Sequence, residues 1–236
     1  MAQCRQTGRD GELNPPRSFA AYVCATLNAA SVPSQSLQTD GFVLLKRPAA
    51  DAYQSYNVFS AAEGSLLVLQ RVVKRPAAID VTLDLFDEVT LGLESSNQGR
   101  TWFVKEARLI TRHAHLGRSY ETLRFASNLA GLVARNQVDA DSRNAVAHLL
   151  RVAFAAFAAG SRPELVYFKS LYVFARDEGY PLKQQWFPTL SPADQATVAI
   201  LLNRPLAEQT ATPDEVARLQ NRLEQYLSGH TDIIVA

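Results

Sequence analysis

Between Thr39 and Thr111 the apolar residues come in short bursts that predict strands. Gly41 to Arg47, Ser55 to Ser60 and Leu66 to Val73 are divided by the turn-prone Pro48, Glu63-Gly64 and Pro76. The next segment is the clearest. Leu83, Leu85, Val89, Leu91 and Leu93 share one face and Asp84, Glu88, Thr90 and Glu94 the other, as in a strand with one side in a core and one in water. Asp87 interrupts the inner face and marks a bulge. The polar run from Glu94 to Arg100, with Asn97 and Gly99, predicts a hairpin onto a fifth strand over Thr101 to Ile110. Five short strands joined by hairpins fit a small barrel of the OB type, and an SH3-like barrel fits the same count less specifically.

After Arg118 the period lengthens to 3.6. Val146, Leu149, Leu150, Ala153, Phe154 and Phe157 form one stripe on a helix that stops at Gly160. Ser161 and Glu164 read as a capping box for the next helix, which carries Leu165, Phe168, Leu171, Tyr172 and Ala175 and ends before Gly179 and Pro181. Ser191-Pro192 opens another in cap-then-proline order. Thr212, Pro213 and Glu215 open the last, with Val216, Leu219, Leu223, Tyr226 and Leu227 on its inner stripe. With Tyr120 to Arg135 this makes five helices in a bundle. Residues 1–38 sustain neither period and read as a flexible extension. The chain is thus predicted to be α+β, with the extension at 1–38, an N-terminal five-stranded OB-type β-barrel at 39–112 and an all-helical domain at 113–236.

Composition narrows the function. The chain has 236 residues, is 47% hydrophobic and 20% charged, and holds no apolar run near the roughly 18 residues of a membrane span, so it is expected in the cytoplasm, away from membranes. Cys4 and Cys24 alone cannot build a four-cysteine zinc site. A formal net charge of +1 gives no global attraction for a polyanion, so any nucleic-acid binding must come from local patches.

From Thr39 to Arg112 nine basic residues stand against nine acidic ones. Five acids (Asp80, Asp84, Asp87, Glu88, Glu94) lie in or beside the fourth strand. The cations Lys46, Arg47, Arg71, Lys74, Arg75, Arg100, Lys105, Arg108 and Arg112 lie elsewhere, which leaves room for one basic face. The peptide Lys-Arg-Pro-Ala-Ala occurs at Lys46 to Ala50 and again at Lys74 to Ala78, each time where a strand runs into a loop. Strands one and three of an antiparallel barrel point the same way, so both pairs are expected at one end, beside Tyr53, Tyr56 and Trp102 as stacking platforms for bases. Chance or a plain solvated turn explains such pairs more often than function does. Trp102, Phe103, Phe42 and Phe59 are otherwise read as core, and Trp186-Phe187 either fills a gap between helices or docks a partner.

No enzyme motif accompanies these residues. His113 and His115 flank one alanine but lack a third ligand, and there is no phosphate-cradling glycine loop, nucleophile elbow or His-Glu-x-x-His. The chain is expected to be no enzyme and to need no cofactor.

Several passages resemble the RecO family of bacterial recombinational-repair proteins. Thr39 to Leu44 resembles its opening strand. Asn57 to Ser60 with Glu63-Gly64 is similar to its passage into the third strand. Leu85 to Asp87 and Thr101 to Leu109, with the pair Glu106-Ala107, look like its fourth and fifth strands. Phe168 to Tyr180, ending in Gly179-Tyr180, resembles its helix that closes on a Gly-Tyr element. The resemblance spans Leu37 to Val235 and rests on the order of these passages.

It implies a non-enzymatic DNA repair and recombination mediator, nucleoid-associated in bacterial cytoplasm. Such a protein binds single-stranded DNA, the acidic C-terminal tail of single-stranded DNA-binding protein and RecR, and promotes strand annealing and recombinase loading. Two departures modify it. Pro181 to Leu190 stands where many members carry a four-cysteine zinc module, so no zinc is expected. The loop after strand three has two cations where the family has many, so weaker DNA binding is expected. The alternative is a divergent OB-fold protein-interaction module with little DNA affinity. An uncharacterised hydrolase would need carboxylates gathered around His113 or His115.

Overall fold

In the computed structural model residues 35–50, 52–72, 81–160 and 162–235 are described. Most of the expected extension, with Cys4 and Cys24, lies outside them, as do Lys74, Arg75 and Ser161.

Five strands, β1 (Gln35–Lys46), β2 (Tyr53–Ser60), β3 (Gly64–Arg71), β4 (Glu88–Ser95) and β5 (Trp102–Thr111), close a barrel in the order β1-β2-β3-β5-β4. Every pairing is antiparallel except β3 with β5, which meet in parallel at Val68↔Trp102 and Leu69↔Phe103. This is an OB-type barrel. Val43, Tyr56, Val58, Leu66, Val68, Leu83, Val89, Leu91, Leu93 and Trp102 fill it. Gly41 permits the closure, because a Cβ there would stand 2.7 Å from Val58 Cγ1 and 2.9 Å from the Phe59 carbonyl oxygen.

The strand limits differ from the sequence pattern at two places. β1 starts at Gln35, not Thr39, because Gln35 to Gln38 pair with Ser95 to Gly92 through backbone groups that are indifferent to side-chain polarity. β4 starts at Glu88, not Leu83. Leu85 and Phe86 form a turn in which Phe86 has a φ of 66°. Asp87 holds that turn rather than bulging a strand: its carboxylate accepts from the Asp84 N–H at 2.9 Å and from the Arg112 guanidinium. The bulges fall instead between Val43 and Leu45, Glu88 and Val89, and Gly92 and Leu93.

The helical part comprises α1 (Tyr120–Arg135), α2 (Arg143–Ala158), α3 (Pro163–Asp177), a single turn α4 (Leu182–Gln185), α5 (Pro192–Asn203) and α6 (Pro213–His230). Ser191 caps α5 through the Asp194 N–H, and Thr212 with Glu215 forms the expected capping box on α6. At α3 the cap is Arg162, at a φ of 51° and with no side-chain cap bond; Glu164 accepts from its guanidinium at 2.9 Å. Trp186 is fully buried and tilted against Tyr172, filling the gap between helices.

Barrel and helices share one core. Phe42, Leu44, Phe59 and Phe86 join the helical cluster, with Phe154 of α2 edge-on to Phe42 at 6.3 Å and to Phe86 at 5.2 Å. Glu88, expected in water, is therefore buried beneath α2. Among the described residues no helix is long and apolar enough to cross a membrane.

Candidate nucleic-acid interface

Along β2 and β3 the alternation that sends Tyr56, Val58, Leu66 and Val68 inward turns Tyr53, Ser55, Asn57, Ser65, Leu67, Leu69 and Arg71 outward. At the β3–β5 seam Trp102 faces in opposite Val68, so Phe103, opposite Leu69, faces out. Phe103 and Tyr53 meet edge-on at 5.5 Å. Tyr53 is 37% exposed, Leu67 39% and Val72 50%. The result is an open aromatic and aliphatic strip outside the barrel, on the face and near the loops with which OB folds hold oligonucleotides.

Cations flank the strip unequally. Lys46↔Tyr56 and Arg71↔Tyr53 place Lys46 and Arg71 at one barrel end; the expectation that Lys74 and Arg75 emerge beside Lys46 and Arg47 falls on residues outside the described ones. Arg47 begins the β1–β2 loop there, its N–H donating to the Ser55 carbonyl at 3.0 Å. Arg100 lies in the β4–β5 loop beside Trp102. Arg47, Arg71 and Arg100 are exposed and meet no carboxylate among the described residues. Lys46 is paired with Asp84 at 3.1 Å and Lys105 with Glu94 at 2.7 Å, so each offers less net charge. Arg108 does not join them. It stands opposite Thr90, whose hydroxyl donates to Asp40 at 2.6 Å, and five residues of strand, about 16 Å, separate it from Phe103.

Two expected platforms are corrected. Tyr56 is buried, its hydroxyl donates to the Leu83 carbonyl at 3.0 Å, and burial, with Asp84 and Asp87 adding, pushes its pKa up to about 12. No base can stack on it. Trp102 also belongs to the barrel core, beneath Gly99 of a hairpin turn at φ 79°, and its indole N–H has no partner among the described residues. Phe103, read as core from sequence, takes the surface place. Two adjacent aromatics in a strand must face opposite ways, so the pair signalled one ring on the outer face, here the half-buried Phe103, without saying which.

The histidines do not converge. His113 is half-buried, edge-on to Phe154 at 6.3 Å, and burial lowers its pKa against the opposing pull of Glu88 and Asp87. His115 is exposed. Among the described residues no group of three or more His, Cys, Asp or Glu is placed to hold a metal ion.

No protein-family model matches the chain, and no curated protein matches it.

Proposed function

We propose that the outer face of β2, β3 and the start of β5 binds single-stranded nucleic acid, and that the protein acts without covalent chemistry, as a RecO-like mediator that aids annealing and recombinase loading. One observation carries the reading: the edge-on Tyr53–Phe103 pair, with Tyr53 exposed and Phe103 half-buried, lies beside Arg71, while Arg47 follows β1 and Arg100 precedes β5, three cations without carboxylate partners among the described residues. Stacking on such a pair stabilises a bound base by about 1–3 kcal/mol, and each neutralised phosphate releases counterions. The family resemblance supports the mediator role and adds RecR and the tail of single-stranded DNA-binding protein as partners.

Fluorescence titration with a single-stranded oligonucleotide at two salt concentrations, with and without that tail peptide, tests it. Binding that weakens with salt, and weakens further in Arg47→Glu with Arg71→Glu, is expected. Titrations that these substitutions leave unchanged overturn the reading.

The exposed Leu67 and Val72 favour a second reading, a protein-interaction module with little DNA affinity. It requires the same face to bind a protein partner with little salt dependence and no measurable oligonucleotide affinity.

A further inference from the structure

We propose that a single strand held on the barrel face continues onto the start of α1, where Arg118, Tyr120 and Arg124 form a second contact patch. The inference rests on the barrel reading above.

Tyr120 is 82% exposed, against 37–54% for the other exposed large apolar side chains of the described residues. A ring in water at the head of a long helix is an open stacking surface. Arg124 stands four residues on, on the same helix face. Its guanidinium carbon lies 4.4 Å from the centroid of the Phe125 ring, which anchors the side chain without neutralising it. Arg118 closes the 3-10 turn just before the helix. Both arginines are exposed and are ion-paired with no carboxylate among the described residues; with Glu121 of the first turn also exposed, the patch around the open aromatic carries a net charge of one positive unit.

The ground between the two patches does not repel a phosphate chain. A cleft of about 340 Å³ is lined by Asp84, Asp87 and Arg112 together with Gly117 and Leu123, the last of these on α1. Its two carboxylates are matched by Lys46 on Asp84 and Arg112 on Asp87. Lys46 in turn adjoins Arg47 on the barrel face. The proposed course of the strand runs from Arg47 past this charge-balanced cleft, whose lining residue Gly117 immediately precedes Arg118.

The chemistry selects the ligand. Cations around an exposed aromatic suit bases that have left a duplex, since every base offers a π-face. A single strand is flexible enough to turn over the barrel end, whereas duplex DNA is stiff over about 150 base pairs.

The test compares the full chain with two variants, Arg118→Glu with Arg124→Glu, and Tyr120→Ala alone. The ligands are a single-stranded oligonucleotide of about four nucleotides, the smallest site of one OB fold, one of about 16, and a duplex of the longer length. All three side chains are exposed, and unchanged circular dichroism checks folding. The short oligonucleotide should bind equally to all proteins. For the long one, the charge-reversed variant should lose roughly tenfold in affinity and about 1.4 in salt slope, two phosphates at about 0.7 each. Tyr120→Ala should lose several-fold with its slope unchanged. Equal binding of the long oligonucleotide by all three proteins overturns the second patch and leaves the barrel reading standing. Failure of the short oligonucleotide to bind, together with indifference to Arg47→Glu and Arg71→Glu, overturns the barrel reading and this one with it. Duplex bound as tightly as the long single strand overturns the choice of ligand.

Discussion

Arg151 of α2 grips Glu88 at the start of β4 through both carboxylate oxygens, its Nε donating to Oε1 at 3.0 Å and to Oε2 at 3.3 Å. The same guanidinium lies over the Phe42 ring at 5.5 Å. Glu88 is buried while Arg151 remains half-exposed, so the arginine is what makes a buried carboxylate tolerable at the joint between barrel and helices.

Arg151→Ala should therefore destabilise the protein by about 1–3 kcal/mol, because it leaves Glu88 buried and unpaired. Thermal unfolding should show a midpoint several degrees lower. Glu88→Leu combined with Arg151→Met should recover most of the loss, since it removes the stranded charge as well as its partner. A double variant no more stable than Arg151→Ala would show that the pair contributes more than compensation.

Phe154→Ala should cost about 3–5 kcal/mol, as expected for deleting a buried ring, here one that touches Phe42 and Phe86 on the barrel side. Because one core spans both parts, denaturant curves followed by a helix signal and by Trp102 emission, isolated in a Trp186→Phe background, should shift together. Separate transitions would show that the barrel holds without the helices.

Among the aromatics, Phe103→Ala should weaken oligonucleotide binding several-fold, as loss of one stacking surface does. Tyr56→Phe should leave binding unchanged and reduce stability modestly by removing the bond to the Leu83 carbonyl. The opposite ranking would place the contact at the barrel mouth.

Alkali should expose the two buried phenols. Burial raises the pKa of Tyr56 to about 12 and raises that of Tyr167 further. Their folded values exceed the ordinary 10.0, so the stability they permit is fully present below pH 10 and is lost as pH rises through 10 toward 12. Both should ionise only above pH 10 in a tyrosinate absorbance titration, and the thermal midpoint should fall over the same range. Early ionisation of Tyr56, tracked by its absence in Tyr56→Phe, would contradict its buried bond.

Local pattern carried much of the architecture, because strand and helix periods depend on neighbours a few residues apart. The stripe Val146 to Phe157, the Thr212–Glu215 capping box and the inward run Val89, Leu91, Leu93 were all legible in the chain, as were the barrel's five strands. What depended on distant partners was not. Trp102 turns in and Phe103 out because β5 meets β3 at Val68, and Tyr56 is lost to the core because its hydroxyl finds a carbonyl 27 residues away. Glu88 is buried because α2 lies on it, and Lys46 and Lys105 are partly neutralised because Asp84 and Glu94 come to them through space. The sequence by itself determined which segments form strands and helices and how many cations the barrel carries. Only the tertiary structure decided which rings meet water and which charges remain unspent, since both are settled by long-range pairing and packing.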